Sequence, residues 1–359
     1  MPKKERLDNK VVPRKIGRKI SIVFVLLLTV VAMGWGLIAS RKTPNSQFSS
    51  TSPNTNNPLT PIASSAKKVR QPKTLRELLQ IPLDQLANMD IAVMNLLCAE
   101  GLNGSEGLEI SRCLERLAAL SKHIEKETAR NYHRFQENPK EYNNSIGYYR
   151  MGILGTVLAE DFGIHYNPKL DRTSPDGQRL PLEISHANSK DIFIHGLLGE
   201  THFGTCASMP VLYVALARRL GYPINLAAIK YHLYVRYEEE NGKHLNVEAT
   251  EDRGFTTPTD EDYKGGPFPS MEEQIKELGW LRPMSPSEML GAFLFARAGC
   301  LRSMKQYGEE AEIIATAARY LPDTPTSKRA IQASLRRAID SRNEMQLTGQ
   351  SKREITTKE

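Results

Sequence analysis

The chain has 359 residues, of which 40% are hydrophobic and 25% are charged, a balance that is ordinary for a globular protein and excludes a chain disordered throughout. The formal net charge is +7, but ten of the 48 basic residues and only two of the 41 acidic residues lie within positions 1–42. Everything beyond is nearly neutral, so a basic nucleic-acid-binding face is not supported and we expect no nucleic-acid partner.

The first predicted element is a transmembrane helix at residues 20–39, reading ISIVFVLLLTVVAMGWGLIA without a charge. Its length matches the ~20 apolar residues that cross a bilayer as a helix. A cleavable signal peptide is the alternative, but its apolar region is usually only ~7–15 residues long. The basic tail at residues 1–19 is expected on the cytoplasmic side, because positive charge favours that side. The sequence therefore predicts a single-pass membrane protein whose C-terminal domain lies on the outer (periplasmic or extracytoplasmic) side.

Two segments of different character follow the predicted span. Residues 40–73 are rich in Ser, Thr, Asn and Pro and contain few large apolar groups, so we expect a disordered linker. Residues 74–190 carry apolar residues at helical spacing, and Thr74 with Glu77 has the spacing of a capping box. The first part of the soluble domain is therefore predicted to be mostly helical.

The core region at residues 191–270 is predicted to combine helices with a small antiparallel sheet. After a short helix near residues 191–198, a second helix should begin close to Ala207, because Pro210 is tolerated only in a first turn. Three β segments follow at residues 224–229, 232–237 and 244–250, and Asn241-Gly242 marks a turn between the last two. The predicted fold class is α+β, mostly helical with a small antiparallel sheet.

This region sets Cys206, His232 and Glu248 in an order that thiol chemistry can use. A thiolate at a helix N-terminus is stabilised by the helix dipole, a neighbouring histidine can pair with it, and a carboxylate can orient that histidine. If strand positions that sum to about 480 are paired, His232 and Glu248 face each other. A strict two-residue turn would instead place Glu248 opposite Val235, so a longer loop is expected.

The C-terminal part, residues 271–345, is predicted to be a helical tail that resembles a tetratricopeptide repeat. Ser285-Pro286-Ser287-Glu288 opens it with a capping box and a proline in the first turn. The segment that follows has small, aromatic and proline residues close to the pattern of roughly one repeat: Ala298, Tyr307, Ala311, Ala318 and Pro322. Residues 346–359 are expected to form a disordered tail.

The segments GTCASMPVLYVALARRLGYP, HLYV and VEAT resemble the transglutaminase-like branch of the papain-like thiol superfamily, and most of all the bacterial SirB1-like proteins with a tetratricopeptide-like tail. The resemblance spans about residues 74–340. It implies that Cys206 is the nucleophile, His232 the general base and Glu248 the orienting acid. We expect a protein or peptide substrate, because the helical tail is a plausible docking surface, and we expect no cofactor or metal. The better-known members have Asp where this chain has Glu248.

The resemblance leaves two functions open. One is a cysteine enzyme that transfers or hydrolyses acyl groups at amide or peptide bonds, and the other is a non-catalytic scaffold or peptide-binding protein with the same fold. Neither the substrate nor the oligomeric state is predicted.

Each candidate residue also has a structural interpretation. Cys206 could be a small buried apolar residue, His232 could cap a strand, and Glu248 could pair with Arg236. His202 could donate to an oxyanion. A zinc site that combines these residues matches no standard ligand spacing. The other cysteines are expected to be core or partly buried thiols: Cys98, Cys113 and Cys300.

Overall fold

A computed structural model describes residues 70–170, 186–251, 254–265 and 270–356. Within these ranges the protein is α+β, mostly helical with a small antiparallel sheet, which confirms the predicted class. The α-helices are α1 (Leu75–Leu78), α2 (Ile91–Ala99), α3 (Ile110–Glu137), α4 (Ile146–Thr156), α5 (Ser189–Ile192), α6 (Ile194–Leu198), α7 (Met209–Arg219), α8 (Asp260–Lys264), α9 (Glu272–Leu278), α10 (Pro286–Ser303), α11 (Tyr307–Ala317) and α12 (Pro325–Thr356). The strands are β1 (His165–Tyr166), β2 (Phe203–Gly204), β3 (Ile224–Ile229), β4 (His232–Glu238) and β5 (His244–Val247).

Helix α7 is the centre of the fold. Residues 209–217 are all buried, because α2, α3 and α6 pack around the helix and β3 and β4 lie on its remaining side. A helix that is apolar all round is stable only when it is enclosed in this way. Arg218 and Arg219 occupy its last turn, where positive charge complements the helix dipole, and Arg219 pairs with Asp90 at the start of α2.

The main sheet has the strand order β3, β4, β5, with both pairs antiparallel. The three predicted β segments correspond closely to these strands. Side chains alternate between two faces. One face, with Leu226 and Val235, packs on the main core around α7. The other face, with Ala227 and Tyr234, packs on α8 and α9 through Tyr263 and a small second core.

The connection between β4 and β5 is longer than a two-residue turn, as the sequence predicted. The backbone N–H of Glu239 donates to the carbonyl of Lys243 (2.8 Å), and Gly242 adopts a positive φ of 76° within the loop. The register differs from the expected one, since Val235 pairs with Val247 and Arg236 with Asn246. Paired positions therefore sum to 482 and not to 480. Extending the register places Glu248 opposite Tyr234, two residues from His232 and on the same face.

The helical tail packs directly on the core. Helix α10 lies against α2, α11 packs on α10, and α12 packs on both α11 and α9. The segment before α10 runs along the outer edge of β3, where Leu281 N–H donates to Ala228 (2.9 Å) and Met284 N–H donates to Leu226 (2.8 Å). Helix α12 continues to Thr356, past the boundary predicted at residue 345.

The predicted transmembrane helix at residues 20–39 and most of the linker at residues 40–73 lie outside the described residues. Within the described ranges, no helix combines the length and the apolarity needed to cross a bilayer.

Candidate active site

Cys206 lies in the turn between β2 and α7, at the N-terminal end of the central helix. Thr205 acts as the cap of this turn, since its hydroxyl accepts from Ala207 N–H (3.1 Å) and its carbonyl accepts from Ser208 N–H (3.1 Å) and Met209 N–H (2.9 Å). The regular helix begins at Met209, two residues later than predicted, because these capping bonds complete a turn first. Cys206 thus lies in the capping turn that directly precedes α7.

Helix α5 fixes this turn in place. The hydroxyls of Thr205 and Ser208 both donate to the carbonyl of Asp191, at 2.7 and 3.2 Å. Both side chains are fully buried. The position of the thiol therefore depends on how α5 and α6 pack.

His232 is the first residue of β4, and Glu248 follows the last residue of β5. The ring Nε2 of His232 donates to Glu248 Oε2 at 2.5 Å. Because the register places these residues diagonally and not directly opposite, the carboxylate must span a longer distance than in a facing pair. Glu is one methylene longer than Asp, and this additional reach suits the diagonal.

The carboxylate of Glu248 is held by more than the histidine. Oε1 accepts from the backbone N–H (3.1 Å) and the hydroxyl (2.7 Å) of Thr250, and Oε2 also accepts from the Tyr263 hydroxyl at 3.1 Å. The Glu248 backbone pairs with Thr256 on its other side. A buried carboxylate with this many donors keeps both its charge and its orientation.

His232 and Glu248 each stabilise the charged form of the other. Burial alone would lower the pKa of His232, but the Glu248 carboxylate and the Cys206 side chain outweigh it and place that pKa well above its ordinary value. Burial alone would raise the pKa of Glu248, but the His232 charge and the hydrogen bonds from His232 and Thr250 bring it below its ordinary value. An imidazolium–carboxylate pair is therefore the favoured state at neutral pH.

Cys206 adjoins the other side of the imidazole. Its side chain interacts with His232 and contributes to the raised pKa of the ring. Nδ1, the nitrogen that does not face Glu248, is buried and makes no hydrogen bond of regular geometry to any described residue. Catalytic hydrogen bonds are often long before substrate binds. Solvent exposure is 0% for Cys206, 4% for His232 and 3% for Glu248, so the whole arrangement is buried.

The structure thus brings together all three predicted site residues and adds two that sequence reasoning missed. Thr250 belongs to the VEAT segment. A hydroxyl two residues after the candidate carboxylate could have indicated a hydrogen bond to Glu248. Tyr263 lies on α8, and no sequence pattern links it to the site. Its hydroxyl donates to the carboxylate oxygen that His232 contacts, and its ring stacks on Tyr234 with 4.2 Å between centroids.

Other sequence candidates lie apart from this arrangement. His202 Nε2 is 2.7 Å from Arg116 Nη2, and the hydrogen bonds of the described residues do not connect it to Glu248 or His232. Arg236 pairs with Asp260 and donates to Asn246, so it is not the partner of Glu248 that one interpretation considered. The three other cysteines are buried or half-buried thiols, as predicted. Across the described ranges no cluster of His, Cys, Asp and Glu is arranged to hold a metal ion.

Tyr263 is expected to act as a positioning residue. Tyr263→Phe removes one donor to a charged acceptor, so we expect the free energy of unfolding to fall by about 1.5–3 kcal/mol and the alkylation of Cys206 at pH 6 to slow several-fold. Tyr234→Phe is the matched control, because the Tyr234 hydroxyl is buried without a regular hydrogen bond and its loss should be neutral or stabilising. Chemical unfolding measures the stability of each variant, and the pH profile of alkylation measures the reactivity of Cys206. If Tyr263→Phe and Tyr234→Phe have the same free energy of unfolding and the same alkylation rate at Cys206, Tyr263 is not a positioning residue.

The chain matches no model of a known protein family, no curated protein and no solved structure.

Proposed function

We propose that this chain is a membrane-anchored, transglutaminase-like cysteine enzyme that performs acyl transfer or hydrolysis at amide or peptide bonds of a protein or peptide. The observation that carries the proposal is the buried sequence of contacts from Cys206 through His232 to Glu248. The thiol lies at the N-terminal end of a helix, the imidazole beside it is held charged, and the carboxylate beyond is fully hydrogen-bonded. Active sites concentrate perturbed, coupled groups of this kind.

The proposed reaction has two halves. The Cys206 thiolate attacks the amide carbonyl carbon, the C–N bond breaks, and the His232 imidazolium gives its proton to the leaving amine. A thioester at Cys206 and a neutral imidazole result. Water or a second amine then attacks the thioester and gives its proton to His232, and the C–S bond breaks to release an acid or a new amide together with the thiolate. Glu248 holds the ring in one tautomer throughout.

The proposed architecture is a transglutaminase-like core with a tetratricopeptide-like tail, tethered outside the membrane by the span at residues 20–39. The antiparallel sheet, the buried helix that follows Cys206 and the packed helical tail support this interpretation. The charge bias around the apolar run supports the orientation.

The pH dependence of iodoacetamide alkylation tests the proposal on the full chain in detergent. An imidazolium partner keeps a thiolate populated at low pH, so the rate at Cys206 should change by less than about 3-fold between pH 8.5 and pH 6. In His232→Ala the rate at pH 6 should be about 300-fold lower, because an ordinary thiol ionises near pH 8.5 and its thiolate fraction falls ten-fold per unit below that. Site-resolved mass spectrometry measures each cysteine separately.

The chain supplies its own controls. Burial raises the pKa of the Cys113 thiol, and burial raises the pKa values of Cys98 and Cys300 to about 12, so all three should react slowly at pH 6. His123→Ala changes a surface histidine that pairs with Asp161 and should leave Cys206 unaffected. If Cys206 reacts no faster than Cys113 at pH 6, or equally fast in His232→Ala, the catalytic proposal is wrong and the non-catalytic scaffold replaces it.

A further inference from the structure

A groove opens beside the candidate active site, between the β3–β4 hairpin and the helical tail. Its empty space, counted together with the open solvent at its mouth, is about 930 Å³. The hairpin, the segment before α10, and helices α10 and α12 all contribute to its walls. The main apolar contributors are Ile229, Leu233, Trp280, Met284, Phe295 and Ala330.

The groove reaches the reactive pair at His232, whereas Cys206 itself is fully buried and does not line the groove. Ala207, the residue directly after Cys206, lines it, and so does His232. Because the groove adjoins both His232 and the residue next to Cys206, we expect a carbonyl bound at the thiol to place its neighbouring substituent in the groove. The acyl part of a substrate stays bonded to the sulfur through both halves of the proposed reaction, whereas the amine leaves. The substituent next to the carbonyl is thus the part that the groove must accommodate throughout.

The charge in the groove is already neutralised. Among its lining residues, Glu288 is the one acid, and it is the third residue of the α10 capping box. Its carboxylate accepts from Arg282 at 2.5 and 3.0 Å and from the backbone N–H of Ser285 at 2.8 Å. Burial opposes ionisation, but Arg282 and the Ser285 contacts hold the Glu288 pKa below its ordinary value. A charged substituent would find no free counter-charge there and would lose its hydration.

We propose that this groove is the specificity site of the enzyme and that it accepts an uncharged, bulky apolar side chain, such as Phe, Leu or Met, on the acyl side of the attacked carbonyl. This inference rests on the proposed function. A single methylene more or less in a hydrophobic pocket changes specificity by about 10–200-fold, so a strong preference for a bulky apolar side chain over a charged one is expected.

Two chloromethyl ketones test the preference on the full chain in detergent: N-acetylphenylalanine chloromethyl ketone and its N-acetylglutamate counterpart. With either one, the Cys206 thiolate displaces chloride, so a C–S bond forms as the C–Cl bond breaks. Each rate at Cys206 is divided by the rate with iodoacetamide, which carries no side chain. The normalised rate with the phenylalanine reagent should exceed that with the glutamate reagent by about 30-fold or more.

Ala292→Phe provides a second arm. Ala292 lines the groove and is partly exposed, so a larger side chain there fills the groove without entering the core. It should reduce the preference for the phenylalanine reagent about 10-fold. The matched control is Ala315→Phe, which places the same side chain on the exposed surface of α11 and should leave the preference unchanged.

The outcomes separate this inference from the proposed function. If Cys206 shows His232-dependent alkylation but no preference between the two reagents, the specificity site is wrong and the enzyme proposal stands. If Cys206 shows no enhanced reactivity, the enzyme proposal fails, and a binding measurement then tests whether the groove accepts an apolar side chain.

This binding measurement uses tryptophan fluorescence. The chain has two tryptophans, so Trp35→Phe leaves Trp280 as the only reporter. Titrating the Cys206→Ala, Trp35→Phe chain with N-acetylphenylalaninamide should then change Trp280 fluorescence saturably, and an unchanged signal overturns the inference.

Discussion

Glu248→Gln is expected to slow the alkylation of Cys206 at pH 6 by about 100-fold or more and to destabilise the fold by about 3–5 kcal/mol. Glutamine is nearly isosteric, but it cannot hold the imidazolium, and breaking a buried ion pair by neutralising one partner leaves the other charge uncompensated. The histidine then becomes neutral and no longer stabilises the thiolate. In a well-studied catalytic triad, the equivalent change from acid to amide lowers turnover about 10⁴-fold.

The loss of stability in Glu248→Gln should depend on pH in a defined window. The folded pKa of His232 is raised above its ordinary 6.5, so the stability it contributes is complete below pH 6.5 and is lost as the pH rises through the folded value. The folded pKa of Glu248 is lowered below its ordinary 4.5, so its contribution is complete above pH 4.5 and is lost as the pH falls through the folded value. Wild type and variant should therefore differ most between about pH 4.5 and 6.5.

Chemical unfolding of both chains across pH 4 to 9 measures this difference. A difference that is constant with pH would contradict the ion pair. Glu248→Asp is the informative companion, because it keeps the charge but removes the methylene that spans the diagonal between the strands. We expect the alkylation rate of Cys206 in Glu248→Asp to lie between the rates of the wild type and of Glu248→Gln. Full retention in Glu248→Asp would mean that the reach of the glutamate does not matter.

Gly196→Ala is expected to destabilise the protein by about 3 kcal/mol or more. A Cβ at this position would lie within 2.7 Å of the Lys190 carbonyl carbon and closer still to its oxygen, and backbone cannot move aside as a side chain can. Helix α5 would have to shift, and with it the Asp191 carbonyl that holds the turn around Cys206. Thermal unfolding should show a lower Tm by about 6–12 °C.

Gly152→Ala is the matched control for this substitution. Gly152 lies in α4, and a Cβ there would meet only the Phe255 ring at 3.6 Å, an ordinary contact. Replacing a helical glycine by alanine gains about 0.5–1 kcal/mol, so this variant should be as stable as the wild type or slightly more stable. If both variants unfold at the same temperature, the close approach of α5 and α6 at Gly196 does not limit stability.

The sequence predicted those features that depend on local pattern. Strands β3 to β5 follow from short, mostly apolar segments and from the Asn241-Gly242 turn signal, and the central helix follows from its apolar period and from Pro210. The order of Cys206, His232 and Glu248 could also be predicted from the sequence, because each residue lies in or next to one of these locally predicted elements. Their mutual approach depends on the turn that precedes α7 and on the three connections α7–β3, β3–β4 and β4–β5.

What depends on tertiary structure was not readable. The strand register was predicted two positions away from the observed sum, because the loop geometry around Gly242 sets it and a five-residue loop has no single conformation. The helix start was displaced by the capping bonds of Thr205, which form within a turn anchored on α5. Tyr263 and the groove residues come from distant segments, so only the packed fold brings them to the site.

The backbone bonds that Leu281 and Met284 make to β3 have a consequence for folding and for expression. They occupy two backbone carbonyls, those of Ala228 and Leu226, on the edge of a strand that reads INLAAI and carries no charge. A shortened chain that ends before residue 271 would leave this edge open, and uncovered apolar edges recruit other strands and aggregate. The tail therefore protects this edge of the sheet, and we expect the core and the tail to unfold together as one cooperative unit.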